Sequence, residues 1–507
     1  MKFKYHFLAF MLLFSGCEQL DIENPNNPDG AGVIVSGADL SKVLDQAYVD
    51  WWQAVHGVYP NIALAVTGDA YGMPWDDFGA FRMGKEPREA YNNRLTEPTL
   101  YRDIAEVPWY GCLAAVSAAN DVFLALERGV SIDKGGNQDK SVQAAAHFIR
   151  GLSWGYLALL FDETPLVDEN TDLSDPIVFA SYQEAVNIAV AELEMAADIA
   201  ETIGFDFVHQ YFHGVVLDQT AFAELCHAYA ARFLVQWPRT PLESLQVNWA
   251  TVLQHAEQGL TFNFAPIADG EAWTSYHPYV FNDAGEGPFW ARVDQRLIAA
   301  MDPSQPARYP EVQALGELPL TETEAQSADL RLESDFIFLP ANIFPVERGE
   351  WHYSHYQHNR NLTDIDFAGD GQTEGPMPAF RLADCDLLRA EAQLRLGNLN
   401  AATEIINSGT RTTRGGLSPI VPEAAAIEAA IIYERAIELL GTAPMGLWLD
   451  RRRLREREDY LEVSPLGGLQ LFTPAQLPVP EKELRVHGLP PYSFGGEKDP
   501  EGIERVY

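Results

Sequence analysis

Trp75-Asp76-Asp77-Phe78 puts two flat rings and two carboxylates into four consecutive residues. Capture of a sugar uses that combination, because an aromatic face meets the apolar C–H side of a pyranose while polar groups take its hydroxyls. The same chemistry recurs at Trp273, Tyr276, Tyr279 and Trp290, and again at Trp351-His352-Tyr353. Rings of this kind also serve to pin loops onto a core. The expectation of ligand contact rests on their clustering in loop-like sequence. It falls on Trp75, Asp76, Asp77, Phe78, Trp273, Tyr276, Tyr279 and Trp351.

Other chemistries are weaker in the sequence. His352, His355 and His358 form H-x-x-H-x-x-H, but on a helix the outer pair would be displaced by about 120° around the axis. A strand alternates them between faces, and no carboxylate shell stands beside them. A solvated or structural role is expected and no metal site. Asp364, Asp366 and Asp370 could offer oxygens to calcium, yet the EF-hand spacing is missing and a polar loop is the expectation. No cofactor is implied. A glycosidase needs two carboxylates flanking the scissile bond, and with 73 acidic residues some pair could always qualify. No G-x-S-x-G, Walker, H-E-x-x-H or Rossmann pattern occurs.

The elements that must position these residues begin with a leader. Lys2 and Lys4 precede an apolar run of eight residues, Phe7 to Phe14, far short of the ~20 that span a bilayer. Ser15-Gly16-Cys17 then completes a bacterial lipobox, although Phe14 stands where a smaller residue is usual. Residues 1–16 therefore read as a lipoprotein signal peptide and Cys17 as the acylated, palmitate-type anchor. The acidic, Asn- and Pro-rich stretch through residue 37 reads as a spacer. No later segment approaches a membrane span.

The whole chain has 47% hydrophobic residues and a net charge of −38, which disfavours nucleic acid, and residues 38–507 form the folded domain beyond the spacer. Cys112, Cys226 and Cys385 sit in apolar surroundings and read as free buried thiols. Arg82, Arg88 and Arg94 could reverse the acidic field around the first aromatic cluster. Helical periodicity marks about 38–56, 98–129, 139–161, 181–203, 217–237, 246–260, 379–397, 400–411, 423–441 and 444–460. In RLADCDLLRAEAQLRLGN, Leu382, Cys385, Leu388, Ala392 and Leu396 share one face, and Ala383 and Ala390 admit a close neighbour. Gly397 and Asn398 supply a stop, and Asn400 a cap for the next helix. The outcome is mainly α, with tetratricopeptide-like helix pairs. Two stretches break the pattern, about 61–97 and the longer 261–378, and both carry the aromatic clusters. Long excursions of loops and short strands usually carry function.

With these residues in view the chain resembles the SusD/RagB family of outer-membrane lipoproteins. The lipobox is followed by LDIENPNNPD, then AAAHFIRGLSWGYLALLFDETPLV. RLADCDLLRAEAQLRLGNLNAATEIINSGTRTTRGGL is similar to a second family stretch, with Asp384, Glu391, Ile406-Asn407 and Arg411. IIYERAIELLGTAPMGLWLDRRR is similar to a third, at Glu434, Arg435, Glu438, Leu439, Asp450 and Arg451, and LFTPAQLPVPEKEL to a terminal one. Asp162 stands where the family usually has glycine, and RVHGLPP replaces a terminal Asn-Pro. The resemblance implies a SusD-like helical scaffold, a ligand site on loops, and a glycan or, in some branches, a peptide as ligand. It further implies delivery to a SusC-like TonB-dependent transporter without catalysis, from a lipid anchor on the cell-surface side of the outer membrane. A surface glycoside hydrolase and a protein-docking helical scaffold are the competing readings.

Overall fold

The computed structural model describes residues 34–134, 136–172, 174, 176–203, 210–280, 291–309, 323–340, 351–360, 366–367, 373–442 and 444–507. Cys17, with the leader and most of the spacer, lies outside them, as does Trp290. The first helix, α1 (Gly37–His56), starts where Asp39 Oδ2 accepts from the Ser36 backbone N–H at 2.9 Å, relieving a donor that the helix leaves unpaired. Leu40, Leu44, Tyr48, Trp51 and Val55 recur at helical spacing and are fully buried. The chain continues through α2 (Val58–Thr67), α3 (Thr99–Glu127), α4 (Asn137–Leu160), α5 (Tyr182–Ile203), α6 (Gln219–Gln236) and α7 (Trp249–Glu257).

Helices near one another in sequence dominate the packing: α3 lies on α1 and α4, α5 on α4 and α6, and α7 on α6. Small residues set the approach. A Cβ on Gly155 of α4 would fall 2.1 Å from Phe233 of α6, and one on Gly151 would meet Ala189 and Leu193 of α5 at 3.0 Å. Both separations are too short for a larger side chain, so glycine is what lets the three helices close up. Across α4 and α5, Arg150 holds Glu192 at 2.9 Å, and His147 holds the same carboxylate at 2.8 Å.

One expectation fails here. By length and composition α3 could cross a bilayer. Half of its apolar window is buried inside the protein, against α1 and α4, so its apolarity serves the core.

The second half supplies α8 (Leu382–Arg395), α9 (Leu399–Ser408), α10 (Ala424–Ile437) and α11 (Gly446–Leu454). α8 has two apolar faces. Cys385, Leu388 and Ala392 enter the main core, while Ala383, Leu387, Ala390 and Leu394 enter a separate cluster with α9 and α10. Leu382 and Leu396, at the ends of the expected face, are exposed. Gly397 takes φ +83°, and Asn398 N–H returns to Gln393 O at 2.9 Å, closing the helix as a glycine C′ does. Asn398 then precedes α9, so Asn400 falls inside that helix and is not its cap. Cys112, Cys226 and Cys385 are free and buried.

Strands are short and antiparallel. β1 (Tyr71–Gly72) pairs with β5 (Arg292–Val293), β2 (Glu163–Pro165) with β3 (Phe179–Ser181), and β6 (Phe336–Phe338) with β7 (Tyr356–His358). β4 (Ile267–Asp269), β9 (Thr373–Pro376) and β8 (Asp366–Phe367) form the three-stranded sheet. Most of these strands lie in the two excursions that interrupt the helices.

Candidate functional site

The excursions meet at their roots. Tyr71 pairs with Val293, Asp294 N–H donates to Ala70 O at 3.0 Å, and Gln295 N–H donates to His352 O at 2.8 Å. Asp294 and Tyr353 form a further bridge. Gly72 is essential to this closure, since a Cβ there would stand 3.0 Å from the Tyr353 Cα. Trp75 thus follows, by three residues, a backbone that lies against the segment carrying Trp351.

Beneath the roots lies a buried network of charge. Asp69 takes Arg88 at 2.5 Å on one oxygen and Arg296 at 2.6 Å on the other. Arg296 also reaches Glu458 at 2.8 Å. His352 stands between Asp294, 3.1 Å from its Nδ1, and Glu86, 2.8 Å from its Nε2. Arg308 holds the other Glu86 oxygen at 2.7 Å, and Gln470 bonds Glu86 at 2.9 Å. Burial works against every one of these charges, and the opposite charges outweigh it for most. His352 is raised to about 10, by Asp294 and Glu86 against its own desolvation. Glu86, desolvated but facing His352, Arg88 and Arg308, falls to about 2. Asp69 lies well below the usual carboxylate range, with Arg88 and Arg296 overcoming its burial. For Asp294 burial prevails and the carboxyl is raised.

Asp69, Asp294 and His352 also form the one group of three potential metal ligands among the described residues. Both Asp69 oxygens are already engaged by guanidinium groups, and His352 is held between two acids. These donors are spent on ion pairs, and the cluster's chemistry is that of a structural clamp. The expectation that His352 lacks nearby carboxylates was therefore wrong, because Glu86 and Asp294 are remote in sequence. His355 and His358 are buried as well, bonded to Leu339 O and to the Tyr71 hydroxyl, each at 2.9 Å. None of the three is solvated.

The expected ligand residues divide by exposure. Trp75 is 38% exposed, Asp76 is exposed, and Asp77 and Phe78 are half-buried. Phe78 meets Tyr59 edge-on at 5.5 Å and packs on the core. Trp351 is half-buried with the Arg308 guanidinium 5.4 Å above its ring. Trp273 and Tyr276 are different. Trp273 is 6% exposed and lies 5.1 Å from Trp52, whose indole N–H donates to Thr274 O at 2.7 Å. Tyr276 is 3% exposed, and its backbone N–H bonds His56 O at 3.2 Å. These two rings pack the long excursion onto α1 and do not stand on a surface. Tyr279 is described in backbone only, within a short helical turn. Asp364 and Asp370 lie outside the described residues, and Asp366 is described only as part of β8.

The basic reversal around the first cluster does not form. Arg88 is buried on Asp69, and Arg82 pairs with Glu97 at 2.6 Å while covering the Tyr101 ring at 4.0 Å. Of the three arginines only Arg94 is exposed.

The acidic and basic motif residues of the C-terminal half have their own use. Arg453 grips Glu391 through two bonds, at 2.7 and 2.9 Å. Arg435 joins Asp384 at 3.2 Å to Asp450 at 2.7 Å, and Arg331 joins Glu434 to Glu438. Fork-shaped guanidiniums suit such paired carboxylates, and together they lock α8, α10 and α11. Asp162, the departure from glycine, accepts from the Tyr492 hydroxyl at 2.9 Å and pairs with Arg505 at 2.6 Å. It fastens the C-terminal segment to the end of α4.

Residues 337–462 match the model of the SusD family. No curated protein sequence matches the chain significantly. Among solved structures, the chain is similar to a SusD superfamily protein from Parabacteroides distasonis ATCC 8503, with a TM-score of 0.59 at 15% identity over 90% of this chain and 98% of that one. A SusD homolog from Bacteroides thetaiotaomicron VPI-5482 gives 0.58 at 15%, over 82% and 88%. A SusD-like carbohydrate binding protein from Bacteroides vulgatus ATCC 8482 gives 0.54 at 15%, over 83% and 84%. The match to the SusD family model thus lies inside a fold that the chain shares with SusD superfamily structures.

Proposed function

We propose that this protein captures a nutrient oligomer, a glycan before a peptide, on the face that carries Trp75 and Asp76. From there it passes the ligand uncleaved to a SusC-like TonB-dependent transporter. The observation that carries the reading is the convergence of the Trp75 and Trp351 segments on one rigid root, with an exposed ring beside an exposed carboxylate. That pairing suits a pyranose, offering an apolar face and an acceptor at once. The similar Bacteroides vulgatus protein, described as carbohydrate binding, supports the ligand class. Cys17 anchors the domain to the outer membrane on this reading, and the stretch from residue 17 to 37 gives it slack.

Burial lifts Asp162 to about 6, the range of a glycosidase acid, but its oxygens are committed to Tyr492 and Arg505. The test is incubation of the mature domain with a panel of oligosaccharides and peptides. A complex that returns its ligand intact is expected, and Trp75→Ala should weaken it. Released product overturns the proposal in favour of a hydrolase, and a peptide bound in preference to every glycan overturns the ligand class.

A further inference from the structure

A second cluster of titratable side chains lies where α5, α6 and α7 meet. His227 of α6 and His255 of α7 are both buried, and their Nδ1 atoms stand 3.0 Å apart. The other ring nitrogen of each faces a glutamate of α5. His227 Nε2 is 3.4 Å from Glu201 Oε1, and His255 Nε2 is 3.2 Å from Glu194 Oε1. Glu194 and Glu201 are spaced by two helical turns and so share one face of α5.

The electrostatics of this arrangement follow from the donors available. A carboxylate only accepts, so the tautomer that serves both pairings carries each imidazole proton on Nε2. Both Nδ1 atoms are then lone-pair acceptors aimed at each other across 3.0 Å. In that tautomer two lone pairs stand 3.0 Å apart, an arrangement that a bound cation relieves.

We propose that His227 and His255 bind a first-row divalent transition ion, Zn²⁺ or Cu²⁺, through the Nδ1 atoms of both rings. Glu201 and Glu194 complete the pattern, because a metal-bound histidine usually gives its remaining N–H to a carboxylate that fixes its orientation. Tetrahedral zinc with Zn–N bonds of about 2.0–2.1 Å sets two nitrogens about 3.3–3.4 Å apart. The nitrogens need to part by a few tenths of an ångström, and the rings, now nearly end-on with centroids 5.2 Å apart, to turn toward a common point. Neutral imidazoles select zinc and copper over calcium and magnesium, which prefer oxygen. The His227 side chain keeps 11% of its surface, so the pair is not wholly sealed from solvent. The glutamates, 50% and 49% exposed, offset the added charge. Bound there, the ion staples α6 to α7 within the helical scaffold, independently of what the loop face captures.

The test uses the untagged folded chain, stripped by a chelator and then titrated with zinc chloride while thermal unfolding is followed. Zinc is expected to raise the midpoint by about 2 °C or more at saturation, and calcium or magnesium chloride to leave it unchanged. Electron paramagnetic resonance of the chain loaded with Cu²⁺ should report two nitrogen ligands. His227→Gln and His255→Gln should each abolish the zinc shift. His213→Gln should retain it, since that histidine lies outside the cluster with a side chain 47% exposed. Glu201→Gln, at a half-exposed position that leaves the fold intact, should weaken zinc binding by about tenfold. Absence of a zinc shift in the parent chain, or its persistence in His255→Gln, overturns the proposal. If both histidine variants fail to fold, unchanged affinity in Glu201→Gln overturns it.

Discussion

Trp75 and Trp273 are the same side chain in two physical situations. One ring is 38% exposed beside an exposed carboxylate, and the other is 6% exposed against Trp52. Their variants should therefore fail in opposite assays. Trp75→Ala removes a stacking face and should cost about 2 kcal/mol of ligand binding, roughly 30-fold in Kd, with no change in thermal unfolding. Trp273→Ala removes a buried ring and should cost about 3–5 kcal/mol of stability by denaturant titration. The sequence separates such rings poorly. Both lie in stretches rich in Pro, Gly and aromatics without helical periodicity, and composition does not reveal which side faces α1. Cys112, Cys226 and Cys385 were legible because an apolar thiol inside a periodic helix has one natural place to go.

At the scale of elements, the helices were largely readable and their overruns have a cause. The 444–460 stretch was expected to be one helix, yet α11 stops at Leu454 and Arg455 is extended. Glu458 instead gives its N–H to Leu469 O at 3.0 Å and its side chain to Arg296. Tertiary partners outweigh the helix propensity of the charged run RLRERED. The clamp under the excursions was invisible for a related reason. Glu86, Asp294, His352 and Glu458 belong to four separate stretches, and no spacing rule links them. That clamp dictates a pH profile. His352 is raised to about 10 in the fold from about 6.5 when unfolded, so its contribution is complete below about pH 6.5 and is lost as pH rises through 10. Glu86 is depressed to about 2, so its contribution holds above about pH 4.3, its unfolded value, and is lost as pH falls towards 2. His352→Gln leaves two buried acids facing a neutral group and should cost about 3–5 kcal/mol. Denaturant titrations across pH should show the deficit largest between about pH 4.3 and 6.5. A deficit independent of pH would mean that lost packing, not charge, is responsible.

At the scale of the whole molecule, buried ion pairs hold the scaffold together, and the proposed lipid anchor at Cys17 would tether it. Family motif residues such as Glu391, Arg435, Glu438 and Asp450 are spent on buried pairs among α8, α10 and α11 and their neighbouring arginines. Their regular order in the sequence is thus a record of packing, which is why the fold could be recognised while the ligand could not. The anchor is tested by Cys17→Ala. If acyl chains on Cys17 supply the hold, at about 0.8 kcal/mol per buried methylene, the variant should move in cells from the membrane fraction to the soluble fraction. Retention in the membrane would assign the attachment to a partner.

The joined roots carry a consequence for time as well as for shape. Asp294 N–H and Gln295 N–H donate across three segments of chain, and the charges beneath them are paired across the same segments. No single excursion can peel away without stranding a buried charge from another, so the roots open together or not at all. Their amides should then exchange with deuterium only at the rate of the slowest, global opening, while the amides around Trp75 at the loop tip exchange orders of magnitude sooner. A surface built this way can renew its tips on the timescale of ligand encounter while its foundations keep the lifetime of the protein.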